Sequence, residues 1–168
     1  IFSVLRVPFL LEPHYNENNE FIETNRQRLI KKWGGKSGWE EQKHRHNLKG
    51  RGLRAGIPHF NLDRKASNTM ASHRLVQYVG KKYGLEISEG LYDRLNIYHF
   101  VEGHALNDKP LLAEVAVDEI TKLVSAAEKR SDTSFPTLMT VSEILDFLDG
   151  DEGTNEIHDA LKRLDEIG

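Results

Sequence analysis

Residues 67–75, SNTMASHRL, bring together the side chains best suited to chemistry. Asn68 and Thr69 stand at the start of a helical run, where unpaired backbone N–H groups and the helix dipole favour an anion. His73 follows one turn later and is the only residue type there that titrates near neutral pH. Two readings stay open from the residues alone. Ser67 or Asn68 caps a helix and His73 is structural, or Asn68, Thr69 and His73 lie near a substrate.

The other candidates are weaker. Eight histidines invite a metal, but His44-Arg45-His46 has a spacing that points the two rings to different sides of a helix. H-E-x-x-H is absent, and His99 and His104 are five residues apart across a helix end, so surface or capping roles are expected and no metal site is assigned. DGDEGTNEIHDA (149–160) suggests a calcium loop, yet its sixth position is Thr154 and its twelfth Ala160, where glycine and glutamate are required. The chain has no cysteine, no G-x-S-x-G and no phosphate-cradling loop, so no catalytic residue is assigned.

Charge is distributed unevenly. Residues 26–54 hold ten Lys or Arg against Glu40 and Glu41, and residues 132–168 hold ten Asp or Glu against Lys162 and Arg163. With Trp33, Trp39 and His44, the basic segment 26–54 is a candidate surface for RNA or another acidic partner. At 38% apolar and 29% charged, the composition is that of an ordinary soluble globular protein, and it leaves the compartment, cytoplasmic or organellar, unassigned. No window approaches a membrane span, and no membrane partner is expected.

These residues must be positioned mainly by helices. Residues 3–12, SVLRVPFLLE, read as a β-strand, and from Asn19 the pattern turns helical, stopping at Gly34-Gly35. A helix runs from Trp39 to Leu48, broken by Gly50-Arg51-Gly52. The next starts near Asn68 and stops at Gly84, with Ala71, Leu75, Tyr78 and Val79 as its buried stripe. Ser88 and Asp108 cap two more, Thr140 and Glu143 form a capping box, and Ile157, Leu161 and Leu164 mark the last. Roughly six helices follow one strand. A lone strand leaves its backbone groups unpaired, so its partner must be chain outside these residues or another molecule.

NTMASHRL (68–75) resembles the N-T-x-x-A-H-R-L signature of DsbA-like thioredoxin-fold proteins, with Ser72 where the family usually has alanine. The branch it resembles is FrnE-like, related to 2-hydroxychromene-2-carboxylate isomerases and kappa-class glutathione transferases. VPFLLEP (7–13), AGIPHF (55–60), LYDRLNIYHFVEGHALND (91–108) and LDFLDGDEGTNEIHDALKRLDEIG (145–168) are similar to further family elements, in family order.

The resemblance implies a mainly α chain, the helical insertion domain of a thioredoxin-like α/β fold with one orphan β-strand at its N-terminus. Residues 1–13 would be a thioredoxin-fold strand, 14–150 the insertion, and 151–168 a helix leading back to an absent cis-proline half. It implies thiol–disulfide exchange with a protein substrate, through a C-x-x-C that these residues lack. Asn68, Thr69 and His73 would sit on the helix covering the substrate cleft, His73 in a structural role. The alternatives are a redox-inactive interaction subunit of a larger assembly and, third, a glutathione-dependent isomerase or transferase. Glutathione is the one cofactor the resemblance suggests.

Overall fold

The computed structural model describes residues 6–10, 15, 23–57, 59, 61–131 and 134–167, and among these it is mainly helical. Eight helices follow in order: α1 (Asn25–Lys32), α2 (Lys36–His46), α3 (Leu48–Arg54), α4 (Met70–Tyr83), α5 (Leu85–Phe100), α6 (Lys109–Arg130), α7 (Val141–Asp149) and α8 (Thr154–Ile167). None is long and apolar enough to cross a membrane.

Helices α4 to α7 build the core. Leu75 and Val79 of α4 meet Ile87, Leu91 and Leu95 of α5, all nearly inaccessible to solvent. One residue, Gly84, joins α4 to α5, and its φ of 91° lies where a side chain would be strained. Helix α6 adds a stripe of small and branched residues, Ala113, Ala116, Ile120 and Val124, which lets it approach α5 and α7 closely. Its start follows expectation: Asp108 accepts from Leu111 N–H at 3.4 Å and Pro110 occupies the first turn. Thr140 and Glu143 likewise close the expected capping box on α7. Residues 134–140 are held to α4 by Tyr83, whose hydroxyl donates to Thr137 O (3.0 Å) and accepts from Met139 N–H (3.1 Å).

Arg74 joins α4 to the end of α7. The residue is only 6% exposed, and its guanidinium donates to the carbonyls of Phe147 (2.9 Å), Leu148 (3.4 Å), Gly150 (2.7 Å) and Glu152 (2.7 Å). Carbonyls at a helix C-terminus have no intrahelical partner, and one arginine fork satisfies this set.

Several local expectations change. Gly50 and Gly52 do not break a helix but lie inside α3. The break falls at Asn47, which adopts the left-handed conformation (φ 43°) and caps α3 by accepting from Gly50 N–H at 3.2 Å. Ser88 is not a cap: α5 begins directly after Gly84, and the Ser88 hydroxyl bonds back to Leu85 O. Ser67 accepts from Leu106 N–H instead of capping α4. Helix α1 starts at Asn25, where Thr24 and Gln27 form a capping box, and 16–22 fall outside the described residues. Of the expected strand 3–12, residues 6–10 belong to no strand, because no ladder partner lies beside them among the described residues. Residues 3–5, 11 and 12 fall outside the description.

Candidate functional site

The three residues singled out in SNTMASHRL line one cleft of about 520 Å³. Helix α1 forms one wall. It is fastened by backbone bonds from Asn25 N–H to Arg64 O (2.8 Å), Arg26 N–H to Leu62 O (2.9 Å) and Ala66 N–H to Glu23 O (3.0 Å). The start of α4 and the second half of α5 form the others, and Phe9 and Tyr15 also border the space.

Asn68 is buried and both ends of its amide are engaged: Oδ1 accepts from Met70 N–H (2.7 Å) and Nδ2 donates to Tyr15 O (2.6 Å). It therefore starts the helix as the sequence suggested, although Thr69 holds the N-cap position and makes no side-chain cap bond. His73 is half-buried. Burial pushes its imidazole below the ordinary value, and a hydrogen bond to the Phe9 backbone partly opposes that shift.

The cleft is cationic. Arg28, Lys32, Arg64 and Lys65 border it, and no Asp or Glu does so among the described residues. Arg28 Nη2 donates to Asn25 Oδ1 at 2.9 Å. Arg64 Nε donates to His99 Nε2 (3.1 Å), its Nη1 donates to Asn61 O (3.1 Å), and its guanidinium lies 4.9 Å from the Phe100 ring centre. Burial, and then the nearby Arg28 charge, lower the Arg64 pKa. Like charges held together in this way gain from an anion between them.

His99 anchors the rear of the cleft. Its Nδ1–H donates to His104 O at 2.8 Å, and Nε2 must carry the lone pair because arginine cannot accept a hydrogen bond. Burial drives its pKa down to about 4, opposed by the His104 bond and assisted by Arg64. The expectation of a surface or capping histidine holds only in part: His99 bonds backbone at a helix end, but it is buried.

Sequence reasoning missed Arg64, His99 and Lys65 as neighbours of Asn68. Arg28 and Lys32 were legible as part of the basic segment, and their i, i+4 spacing places both on one face of α1. No group of three or more His, Asp or Glu able to hold a metal occurs among the described residues. Asp149 and Glu156, from the acidic turn, pair instead with Lys109 and Lys81.

Compared with family models, curated proteins and solved structures, the chain matches none. The class defined by fold and site is thus a helical protein with a cationic cleft that no Asp or Glu borders among the described residues.

Proposed function

We propose that this chain is the helical part of a DsbA-like thiol–disulfide oxidoreductase and that its cleft holds the substrate beside a cysteine supplied by chain outside these residues. The observation carrying the reading is the convergence of Asn68, Thr69 and His73 with Arg28 and Arg64 on one cleft. A thiolate is the nucleophile in disulfide exchange, and nearby cations favour it over the thiol. It attacks one substrate sulfur, a mixed disulfide forms, and the other sulfur leaves as a thiolate. The same cations would select substrates with carboxylates near the scissile bond.

Insulin-disulfide reduction by the complete gene product, with dithiothreitol as the reductant that regenerates the thiolate, is the test. Turnover that falls about tenfold on Arg64→Gln, with the fold intact, supports the reading. A complete product without reactive thiols and without turnover removes it. The four-cation lining also favours the glutathione-dependent alternative, since glutathione carries two carboxylates. Saturable glutathione binding without insulin turnover selects that branch.

A further inference from the structure

We propose, resting on the reading of this space as a substrate cleft, that His99 is its positioning residue: it aims Arg64 without cancelling the charge, and Arg64 receives a carboxylate of the ligand.

Two arginines of this chain are used in opposite ways. Arg74 gives all three guanidinium nitrogens to backbone carbonyls. Arg64, half-buried on the cleft, commits Nε to His99 Nε2 and one hydrogen of Nη1 to Asn61 O. Both hydrogens on Nη2 and the second on Nη1 meet no acceptor among the described residues. Arg6, Arg26, Arg94 and Arg130 each pair with a carboxylate, but Arg64 makes no ion pair among the described residues. Its sequence neighbour Asp63 places both carboxylate oxygens on Arg26 instead, at 2.7 and 3.0 Å.

The groups that hold Arg64 are all neutral. His99 offers a lone pair at 3.1 Å, Asn61 a carbonyl at 3.1 Å, and Phe100 a ring centred 4.9 Å away. The His99 ring is itself fixed through Nδ1–H and His104 O. Burial, helped by the Arg64 charge, keeps that ring uncharged above a pKa of about 4. The loop carrying Arg64 is seated by its backbone: Asn61 N–H donates to Phe100 O (2.8 Å) and Lys65 N–H to Gly103 O (2.9 Å). The His99 bond therefore acts on the direction of the side chain.

A partly desolvated charge without a counter-ion is costly, and an anion entering the cleft relieves that cost. Arg28, whose charge already disfavours the Arg64 cation, adds to the gain. A carboxylate matches the planar donors of a guanidinium. Both ligands open to the cleft, an acidic protein substrate and glutathione, carry that group. A carboxylate in place of His99 would orient Arg64 equally well and spend its charge; a neutral acceptor leaves the charge to the ligand.

Titration calorimetry on the complete gene product, at neutral pH, tests the proposal with two unreactive probes: S-methylglutathione and an acetylated Asp-Ser-Glu amide. Neither undergoes disulfide exchange, so a failure here is separate from a failure of insulin turnover. At least one should bind saturably, and which one binds tells whether glutathione or protein supplies the carboxylate. Arg64→Gln should weaken that binding about tenfold. His99→Glu and His99→Gln have the same shape, and each can accept from Arg64. The glutamate neutralises Arg64 and should cost about tenfold or more, whereas the glutamine should bind within about threefold of the parent. Circular dichroism should show all three variants folded, so a merely structural role for His99 would not separate Glu from Gln. Binding of neither probe, binding indifferent to Arg64→Gln, or equal binding by His99→Glu and His99→Gln overturns the proposal.

Discussion

Arg74 and Phe147 meet twice. The guanidinium lies 5.0 Å from the Phe147 ring centre and donates to the Phe147 carbonyl at 2.9 Å. One side chain of α4 thus packs on α7 and terminates it. Tyr78, one turn further along α4, stacks on the same ring at 4.3 Å, so the α4–α7 seam rests on a layer of arginine, phenylalanine and tyrosine.

Arg74→Ala should cost about 3 kcal/mol or more, since it strands several helix-end carbonyls and empties a buried volume. Arg74→Lys should recover only a minor part, because an ammonium cannot span the four acceptors. Urea unfolding measures both, and a lysine variant as stable as the parent would contradict the fork geometry.

His99 should make stability fall with acid. Its folded pKa of about 4 lies below the ordinary 6.5, so below about pH 6.5 the unfolded chain takes a proton that the native one refuses. Stability is whole above pH 6.5, declines as pH drops toward 4, and loses up to about 3 kcal/mol from this group. His73, also lowered by burial, adds a loss of the same sign. Unfolding of the parent and His99→Gln at pH 7 and pH 4.5 isolates the effect. The variant should show the shallower decline, and parallel declines would show that His99 does not carry it.

Gly38→Ala should destabilise, against the ordinary gain from alanine in a helix. A Cβ at Gly38 would stand 1.9 Å from the Trp33 carbonyl oxygen, a backbone atom with no freedom to step aside. Opening the α1–α2 turn to admit the methyl should cost about 1–3 kcal/mol. Thermal melting reads the sign directly, and a rise in midpoint would refute the contact.

Tyr98→Phe should leave stability unchanged or raise it by about 1 kcal/mol. The Tyr98 hydroxyl is buried without a hydrogen-bond partner among the described residues, and burial raises its pKa. Removing it deletes a desolvated polar group and keeps the ring stacked on His104 at 4.5 Å. A lowered melting midpoint would show that the hydroxyl is satisfied after all.

Two helix starts were legible from a side chain that answers a backbone group three residues away, at Asp108 and at Thr140 with Glu143, whereas the equivalent caps at Thr24 and Asn47 went unread. The α2–α3 break was not, because two glycines suggested it while Asn47 made it by taking a left-handed turn. Ser88 misled for a related reason: one glycine sufficed to reverse the chain, leaving no room for a separate cap. In the cleft, Asn68, Thr69 and His73 were adjacent in the chain and could be read together. Arg64 and His99 are 35 residues apart, and nothing local marks either as the other's partner.

The amino-acid sequence by itself determined the helical character, the caps at Asp108 and Thr140, the stop at Gly84 and the opposed charge blocks. Each of these follows from propensity or from contacts within one turn. Tertiary structure alone decided that Arg74 should close α7, that Arg64 should fix the His99 tautomer, and that four cations should border one cleft. Those outcomes depend on side chains brought together by burial across tens of residues, where local pattern carries no information about which partner is met.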